Sequence, residues 1–407
     1  MPTHFPAFAG LLVFYLTFAA GGGKLCLRHR QKMTKRHFRR GLFSCALAFA
    51  ALSSAVFGRA ATKVVLSRDY LVDRFYKSME GPSSVRDVVL DAEKPPGLLW
   101  ITGFKTEMVG PRGKRPRPAD FMCHANLDFA DMARHRALFG WKKNVSIRIA
   151  TLSQGQLSVR FPPGYGMPLM SDEPLSVATQ VLNFNHPGSY RVRHKITIEF
   201  APDKGAGRPM KPLFADSPFV MVSLDGRPEV FGAARPTPAQ AAAACAPGQN
   251  APNAMMGSVY TDAQGRRYSG HFAVPPGRHV YRTLATHLLN LPFDTRVHYI
   301  EAHLHPFAVS LALRDLTAGK TLWTARAKER ADAIGLSEVG SYSSESGLPL
   351  YKSHDYELVA VYNNTSGRAQ DAMAVMTLYM QDKGFRRPAS TAATAARIPA
   401  AKRNHAS

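Results

Sequence analysis

The stretch Ile196-Thr197-Ile198-Glu199-Phe200 alternates apolar and polar residues with a period of two. Because successive side chains of a strand point to opposite faces of a sheet, this pattern predicts a strand with one face in a core. Apolar runs of strand length recur around it, separated by turn residues, at 98–102, 121–129, 145–151, 157–161, 175–184, 192–200 and 220–224. Short strands at this spacing predict an all-β sandwich.

A second set of strand-like runs follows residues 235–254, which we interpret as a linker because they are rich in alanine and proline. These runs lie at 259–261, 271–274, 279–286, 296–305, 308–314, 321–326, 356–362 and 372–380. A chain of 407 residues can hold two domains that each bury a core. We therefore predict an N-terminal β-sandwich with a preceding extension over residues 63–234 and a C-terminal β-sandwich over residues 255–383.

The formal net charge of +23 lies mostly at the two ends of the chain. Residues 1–62 carry nine basic and no acidic residues, residues 383–407 carry six basic and no acidic residues, and the span between them keeps +8. A basic recognition face for nucleic acid is therefore not expected. Residues 384–407 have few large apolar side chains and are predicted to be a disordered basic tail.

Residues 1–62 are predicted to be a targeting region. Within them, residues 33–61 have the features of a signal peptide: basic residues at 33–40, an apolar stretch at 41–57 and small residues at 58–61. We interpret Met33 as the start of translation, with a membrane anchor that includes the apolar run 5–20 as the alternative. Either interpretation predicts a periplasmic or extracellular protein, with membrane attachment only through the N-terminus.

A candidate metal site begins with His303 and His305, which lie two residues apart in the strand-like run 296–305. Side chains at this spacing lie on the same face of a strand, so both imidazoles can reach one ion. Met373, on a later apolar run, offers a thioether, and two imidazoles with one thioether suit copper, in particular Cu(I). Two plainer interpretations remain open: the histidines are a surface pair, and the methionine fills the core.

The run 293–382 resembles the C-terminal domain of the ascorbate-dependent type II copper monooxygenases, the family of peptidylglycine α-hydroxylating monooxygenase and dopamine β-monooxygenase. The similarity follows the order His303-x-His305, Arg314-Asp315, Tyr362-Asn363-Asn364-Thr365 and Asp371-x-Met373. The resemblance implies two jelly-roll-like β-sandwich domains. It also implies that His303, His305 and Met373 hold the catalytic copper in the C-terminal domain.

A weaker resemblance to the same family extends to the first domain, at residues 122–127 and 166–181. The family has a second copper there, held by three histidines, which takes electrons from ascorbate. Here only His124 matches, because its neighbour is Cys123 and the place of the third histidine is held by Asn183. One interpretation is a changed copper site of Cys123, His124 and His186. The other is that Cys123 pairs with Cys245, or stays reduced in the core, while His124 makes an ordinary hydrogen bond.

Further histidines and one acidic residue were assigned plainer roles. A surface or hydrogen-bonded role is the default for His271, His279, His287 and His354, which have no partner at an informative spacing. His298 is expected on the strand face opposite His303. Glu301, two residues before His303, is a candidate for orienting an imidazole.

These patterns together predict an exported copper-dependent monooxygenase that hydroxylates a C–H bond of an organic substrate. By the resemblance its partners are a small-molecule or peptide substrate, O2 and a reductant such as ascorbate, and copper is its cofactor. Two alternatives remain: a non-catalytic copper-binding protein with a degenerate electron-transfer site, and a secreted β-sandwich that binds a partner without copper.

Overall fold

The computed structural model describes residues 61–92, 95–140, 146–204, 209–226, 230–232, 259–262 and 264–388 of the chain. The predicted linker lies outside the described residues, as do the predicted targeting region up to residue 60 and residues 389–407 of the predicted tail. Among the described residues, no helix is both long and apolar enough to span a membrane.

The described residues of the N-terminal half form strands, one α-helix, α1 (Met132–Phe139), and a 3-10 helix (Ala119–Phe121). Its strands are β1 (Ala61–Leu66), β2 (Tyr70–Val72), β3 (Ser83–Val88), β4 (Leu98–Val109), β5 (Met122–Phe129), β6 (Arg148–Ser153), β7 (Ser158–Arg160), β8 (Tyr165–Met170), β9 (Leu175–Val181), β10 (Tyr190–Pro202), β11 (Lys211–Asp216) and β12 (Val222–Ser223).

Strand β10 contains the alternating stretch that predicted it. Ile196, Ile198 and Phe200 are buried, while Thr197 and Glu199 are partly exposed, so the predicted one-sided burial is confirmed. Each buried side chain of this size contributes about 1.5–3 kcal/mol relative to leaving it in water. This face therefore holds β10 in register with its neighbours β1 and β4.

The part of the C-terminal half that the structure describes likewise consists of strands and one short α-helix, α2 (Thr286–Leu289). Its strands are β13 (Tyr260–Thr261), β14 (Arg267–Ser269), β15 (Phe272–Val274), β16 (Gly277–Leu284), β17 (Thr295–Leu304), β18 (Ala308–Asp315), β19 (Lys320–Glu329), β20 (Leu336–Val339), β21 (Tyr342–Leu350), β22 (Tyr356–Asn364), β23 (Gln370–Ala372) and β24 (Ala374–Gln381).

One ten-stranded sheet runs through both halves in the order β1-β10-β4-β8-β11-β24-β17-β21, with β2 paired to β10 and β7 paired to β4. Strand β11 joins the halves, because it pairs parallel with β8 on one side and antiparallel with β24 on the other. A four-stranded sheet has the order β3-β9-β5-β6, and a five-stranded sheet the order β16-β22-β18-β19-β20.

The ten-stranded sheet packs on both smaller sheets. Its core with the four-stranded sheet includes Ile101 of β4 and Leu127 of β5. Its core with the five-stranded sheet includes Ile300 of β17 and Leu358 of β22. The predicted all-β class is confirmed, and the described chain forms two β-sandwiches that share one sheet.

Strand β17 is buried on both faces, because it lies where the two sandwiches overlap. Ile300 packs in the core with the five-stranded sheet, whereas Tyr299 packs in the core with the four-stranded sheet. On the same face as Tyr299, Glu301 accepts a hydrogen bond of 3.0 Å from the backbone N–H of Thr151 in β6. His303 follows Glu301 by two residues, so the fold directs its imidazole towards the N-terminal half.

Candidate metal centre

A cavity of about 430 Å³ lies between the two halves, at the end of β17. The N-terminal half contributes Ser78, Met79, Cys123, His124, Asn126, Arg148, Thr151 and Ser217 to its lining, and the C-terminal half contributes His271, His303, His305, Met373 and Val375. The cavity thus gathers four imidazoles, one thiol and two thioethers, which are the side chains that bind borderline and soft metal ions.

His303 is the second-last residue of β17, and His305 lies just beyond the end of the strand. Both side chains reach the cavity. Both are buried, and their ring centroids are 5.2 Å apart with the ring planes 85° to each other. Leu304 between them packs in the core with the five-stranded sheet. After Pro306, Phe307 adopts a left-handed φ of 70°, which is uncommon for a bulky residue and makes the tight turn into β18. The turn therefore fixes the end of β17 and the position of His305.

Met373 lies in a one-residue break between β23 and β24, where the predicted single strand 372–380 is interrupted. Its backbone carbonyl accepts a hydrogen bond of 2.7 Å from the Tyr362 hydroxyl. Leu304 pairs with Ala374, so the next position in this register places His305 opposite Met373. All three predicted ligands of the C-terminal half, His303, His305 and Met373, line the same cavity.

His303 has an unpaired polar atom inside the protein. Its Nδ1 is buried and makes no hydrogen bond with any described residue. Leaving such an atom without a partner costs about 1–3 kcal/mol, and a metal ion bound at an imidazole nitrogen would offset that cost. The donor set and this orphaned nitrogen both fit a metal ion.

Burial lowers the pKa of three of the cavity's imidazoles, those of His303, His124 and His271. Burial, followed by the nearby His305 and His124, holds the pKa of His303 well below its usual range. Burial, followed by the positive charge of Arg148, lowers the pKa of His124 to about 3. Burial also lowers the pKa of His271. Metal binding requires an imidazole without its second proton, so these groups are ready to bind at neutral pH.

Cys123 and His124 enter the cavity from β5. Cys123 is buried and forms no disulfide with a described residue. Its Sγ lies 3.5 Å from the Ser78 hydroxyl, and burial raises the pKa of its thiol. The suggested partner Cys245 lies outside the described residues. Both β5 residues therefore face the same cavity as His303 and His305.

His186 is not brought together with Cys123 and His124, so the predicted three-residue site of the first domain is not formed. Its Nε2 lies 2.9 Å from Oδ2 of Asp120, and its ring packs on Phe121 at 4.7 Å between centroids. Asn183 explains why: its side chain binds the backbone of Arg74 and His186 and holds the turn away from the cavity.

Two neighbours of His303 along β17 have other partners. His298 stacks on Tyr165 at 4.1 Å between ring centroids, and its Nδ1 lies 3.0 Å from the Ser344 carbonyl oxygen. Glu301 accepts hydrogen bonds from Thr151 and from the Tyr379 hydroxyl at 2.9 Å, so the contacts of its Oε1 are not with an imidazole. Burial raises the pKa of Glu301 to about 7.

His271 and Asp371 are the members of the site that the sequence analysis missed. From sequence, His271 has a surface or hydrogen-bonded role by default, and Asp371 is only part of the Asp-x-Met pattern. In the structure, ligand atoms of His271, His305 and Asp371 all lie within 4.8 Å of one another. No local signal brings them together, because Asp371 lies on β23 and His271 just before β15, and these two short strands pair across about a hundred residues of sequence.

The chain has no match among the protein-family profiles or among the curated proteins. Among solved structures it is similar to the PBCV-1 virus capsid in a quasi-atomic model, with 9% identity, a TM-score of 0.28, and coverage of 81% of this chain and 96% of that one. A second neighbour is a putative membrane anchored protein from Corynebacterium diphtheriae, with 8% identity, a TM-score of 0.17, and coverage of 81% and 94%. At these scores neither similarity bears on function.

Proposed function

We propose that this chain is an exported copper-dependent monooxygenase that hydroxylates a C–H bond of an organic substrate with O2 and a reductant such as ascorbate. The observation that carries the proposal is that His303, His305 and Met373 line one cavity, with a buried and unpaired Nδ1 on His303. The predicted targeting region supports export to the periplasm or the cell exterior.

The donors favour copper over other common metal ions. Imidazole and thioether are borderline and soft ligands, whereas magnesium and calcium prefer oxygen ligands. A thioether ligand bound weakly and at long distance is typical of copper sites that change oxidation state. His303, His305 and Met373 are the residues that would hold the ion. Bound copper would supply the activation of O2, which no side chain can supply.

The surrounding residues shape the reaction space. A volume of about 430 Å³ leaves room for a small organic substrate or a side chain of a peptide beside the ligands. Arg148 is held in place by ion pairing with Asp128 and by a hydrogen bond of 2.9 Å to the Thr151 hydroxyl. It thus places a fixed positive charge at the wall of the cavity, where an anionic group of a substrate could bind.

A second candidate is a copper-binding protein without turnover, and one observation favours it. Cys123 and His124 face the same cavity as the C-terminal donors, and His186 is directed elsewhere. A separate electron-entry site made of those three residues is therefore not formed. A thiol, imidazoles and thioethers in one cavity also form a donor set that binds Cu(I) tightly without turnover.

The test measures copper content and oxygen uptake of the purified protein. We expect one copper ion lost from the C-terminal donors in His303→Ala and in His305→Ala, and full retention in His279→Ala, whose half-buried ring lies outside the cavity lining and contacts the Pro276 carbonyl. Ascorbate-dependent oxygen uptake with substrate would support the monooxygenase, and copper binding without uptake would support the second candidate. Full copper binding by both cavity variants would exclude the proposed ligands.

A further inference from the structure

Asp371 lies between two imidazoles of the cavity. Its Oδ1 is 3.3 Å from Nδ1 of His271, and its Oδ2 is 3.4 Å from Nδ1 of His305. The two rings are 5.6 Å apart between centroids and perpendicular. One carboxylate therefore faces Nδ1 of both rings. The two histidines are far apart in sequence, because His305 follows β17 and His271 precedes β15.

The pairing of β15 with β23 explains this arrangement. Ala273 is opposite Asp371 in the register, and His271 lies two residues before Ala273 on the same strand face. His271 is thus the diagonal neighbour of Asp371, a position from which a long side chain reaches across. One further step in the same register places His271 opposite Met373.

Met373 is consequently flanked on both sides by histidines. The β15–β23 register ends with Phe272 opposite Ala372, and the β17–β24 register ends with Leu304 opposite Ala374. Continuing each register by one residue brings His271 to one side of Met373 and His305 to the other. His303 lies two residues before His305 and completes the group. All four side chains line the one cavity.

We propose that His271 is a further ligand of the copper held by His303, His305 and Met373, and that Asp371 is a positioning residue whose carboxylate faces the Nδ1 atoms of His271 and His305 at ion-pair distance. This inference rests on the proposed function, because it concerns the same copper. It changes the ligand set from two imidazoles and one thioether to three imidazoles and one thioether.

The protonation of His305 decides between a positioning and a ligating role for Asp371. The Nδ1 of His305 also lies 3.3 Å from the backbone carbonyl oxygen of Asp371, an atom that can only accept a hydrogen bond. Nδ1 therefore carries the proton, and the lone pair is on Nε2, on the other side of the ring. A carboxylate that accepts from the remote N–H of a metal-bound imidazole fixes the tautomer and raises the basicity of the ligand.

The first experiment replaces the inferred ligand. We expect His271→Ala to weaken copper binding at least tenfold in a chelator competition and to remove one coordinated imidazole from the pulsed EPR spectrum of the Cu(II) protein. His279→Ala, which removes a half-buried histidine of β16 outside the cavity lining, should leave both measurements unchanged. His271→Gln, which keeps a polar side chain, serves in the same way should the alanine variant not fold. An unchanged affinity and an unchanged imidazole count in the folded variant would overturn the ligand assignment.

The second experiment removes only the acceptor charge. In Asp371→Asn the amide oxygen can accept from one ring, but the amide nitrogen cannot accept from the other. We expect copper affinity to fall about 10–100-fold and the quadrupole coupling of the remote imidazole nitrogens in pulsed EPR to change. Asp371→Glu should restore part of the affinity, and Asp332→Asn, on the exposed surface, should behave as wild type. A remote-nitrogen signal identical to wild type would overturn the positioning role.

Two outcomes of these experiments distinguish a failure of this inference from a failure of the proposed function. A wild-type protein that binds no copper would overturn both. Copper that is lost in His303→Ala but retained, with the full imidazole count, in His271→Ala would overturn only the inference of an additional ligand.

Discussion

At the scale of single residues, sequence spacing predicts the placement of His303 and His305 but not that of Met373. The period of a strand predicted that His303 and His305 share a face, and their rings do line one cavity. The place of Met373 depends on a one-residue break between β23 and β24, which interrupts a run that reads as one continuous strand. Such a break has no sequence signal because it is set by the strands paired on either side.

We expect Met373→Leu to weaken Cu(I) binding with little loss of stability. The change conserves volume and typically costs less than about 1.5 kcal/mol of unfolding free energy, but it removes the sulfur. The matched control is Met376→Leu, three residues later in β24 and in the core with the five-stranded sheet. Copper affinity by chelator competition and thermal melting of both variants test this, and an unchanged Cu(I) affinity in Met373→Leu would exclude the thioether as a ligand.

At the scale of elements, runs with a clear apolar pattern were predicted closely. The runs 296–305 and 308–314 correspond to β17 (Thr295–Leu304) and β18 (Ala308–Asp315) within one residue. Strand β21 (Tyr342–Leu350) was missed, because its residues 343–346 are polar and its strand pairing comes entirely from its neighbour β17. Helix α1 was also missed, because its apolar residues do not form a regular stripe.

Glu301, at the contact between β17 and β6, is expected to make the stability of the fold depend on pH. Glu301 holds its proton more tightly in the folded chain, with a pKa of about 7 against a usual 4.5, so the folded state loses stability as pH rises through this window. Glu301→Gln keeps an oxygen that accepts from Thr151 and Tyr379 but cannot ionise. In the metal-free protein we expect the difference in unfolding free energy, variant minus wild type, to increase as pH rises from 4.5 to 7. The total increase should be up to about 3 kcal/mol.

Urea unfolding at a series of pH values measures this difference. Glu338→Gln, an exposed residue of β20, is the control and should follow wild type across the range. A constant difference between Glu301→Gln and wild type across the window would show that the carboxyl group ionises equally in the folded and unfolded chains.

At the scale of the whole molecule, the shared ten-stranded sheet links the stability of both halves. Because β11 bridges β8 and β24, neither sandwich can lose its part of the sheet without exposing strand edges of the other. We expect Leu127→Ala and Leu358→Ala, one in each core, to cost about 2–5 kcal/mol each and to lower the unfolding midpoint of both halves together. Hydrogen exchange followed by mass spectrometry in urea reports on each half separately, and a shift confined to the mutated half would show two independent units.

Metal removal also acts on the whole molecule. An ion that binds only the folded chain adds about 2.7 kcal/mol of stability at a free concentration one hundred times its dissociation constant. We therefore expect a Cu(I) chelator to lower the melting temperature of the copper-loaded protein and to leave His303→Ala unaffected. Calorimetry of the two proteins with and without chelator tests this, and equal shifts in both would place the stabilising copper at another site.

Because β11 bridges the two halves, expressing them as separate fragments would disrupt the shared sheet. A cut at the linker would separate β11 from β24, so the C-terminal piece alone would present an open hydrogen-bonding edge beside the uncovered face of β17. Open edges of this kind pair with other copies, and the fragment would be prone to aggregate during expression. Co-expression of both fragments, rather than either one alone, is the route by which a split form of this protein would stay in solution.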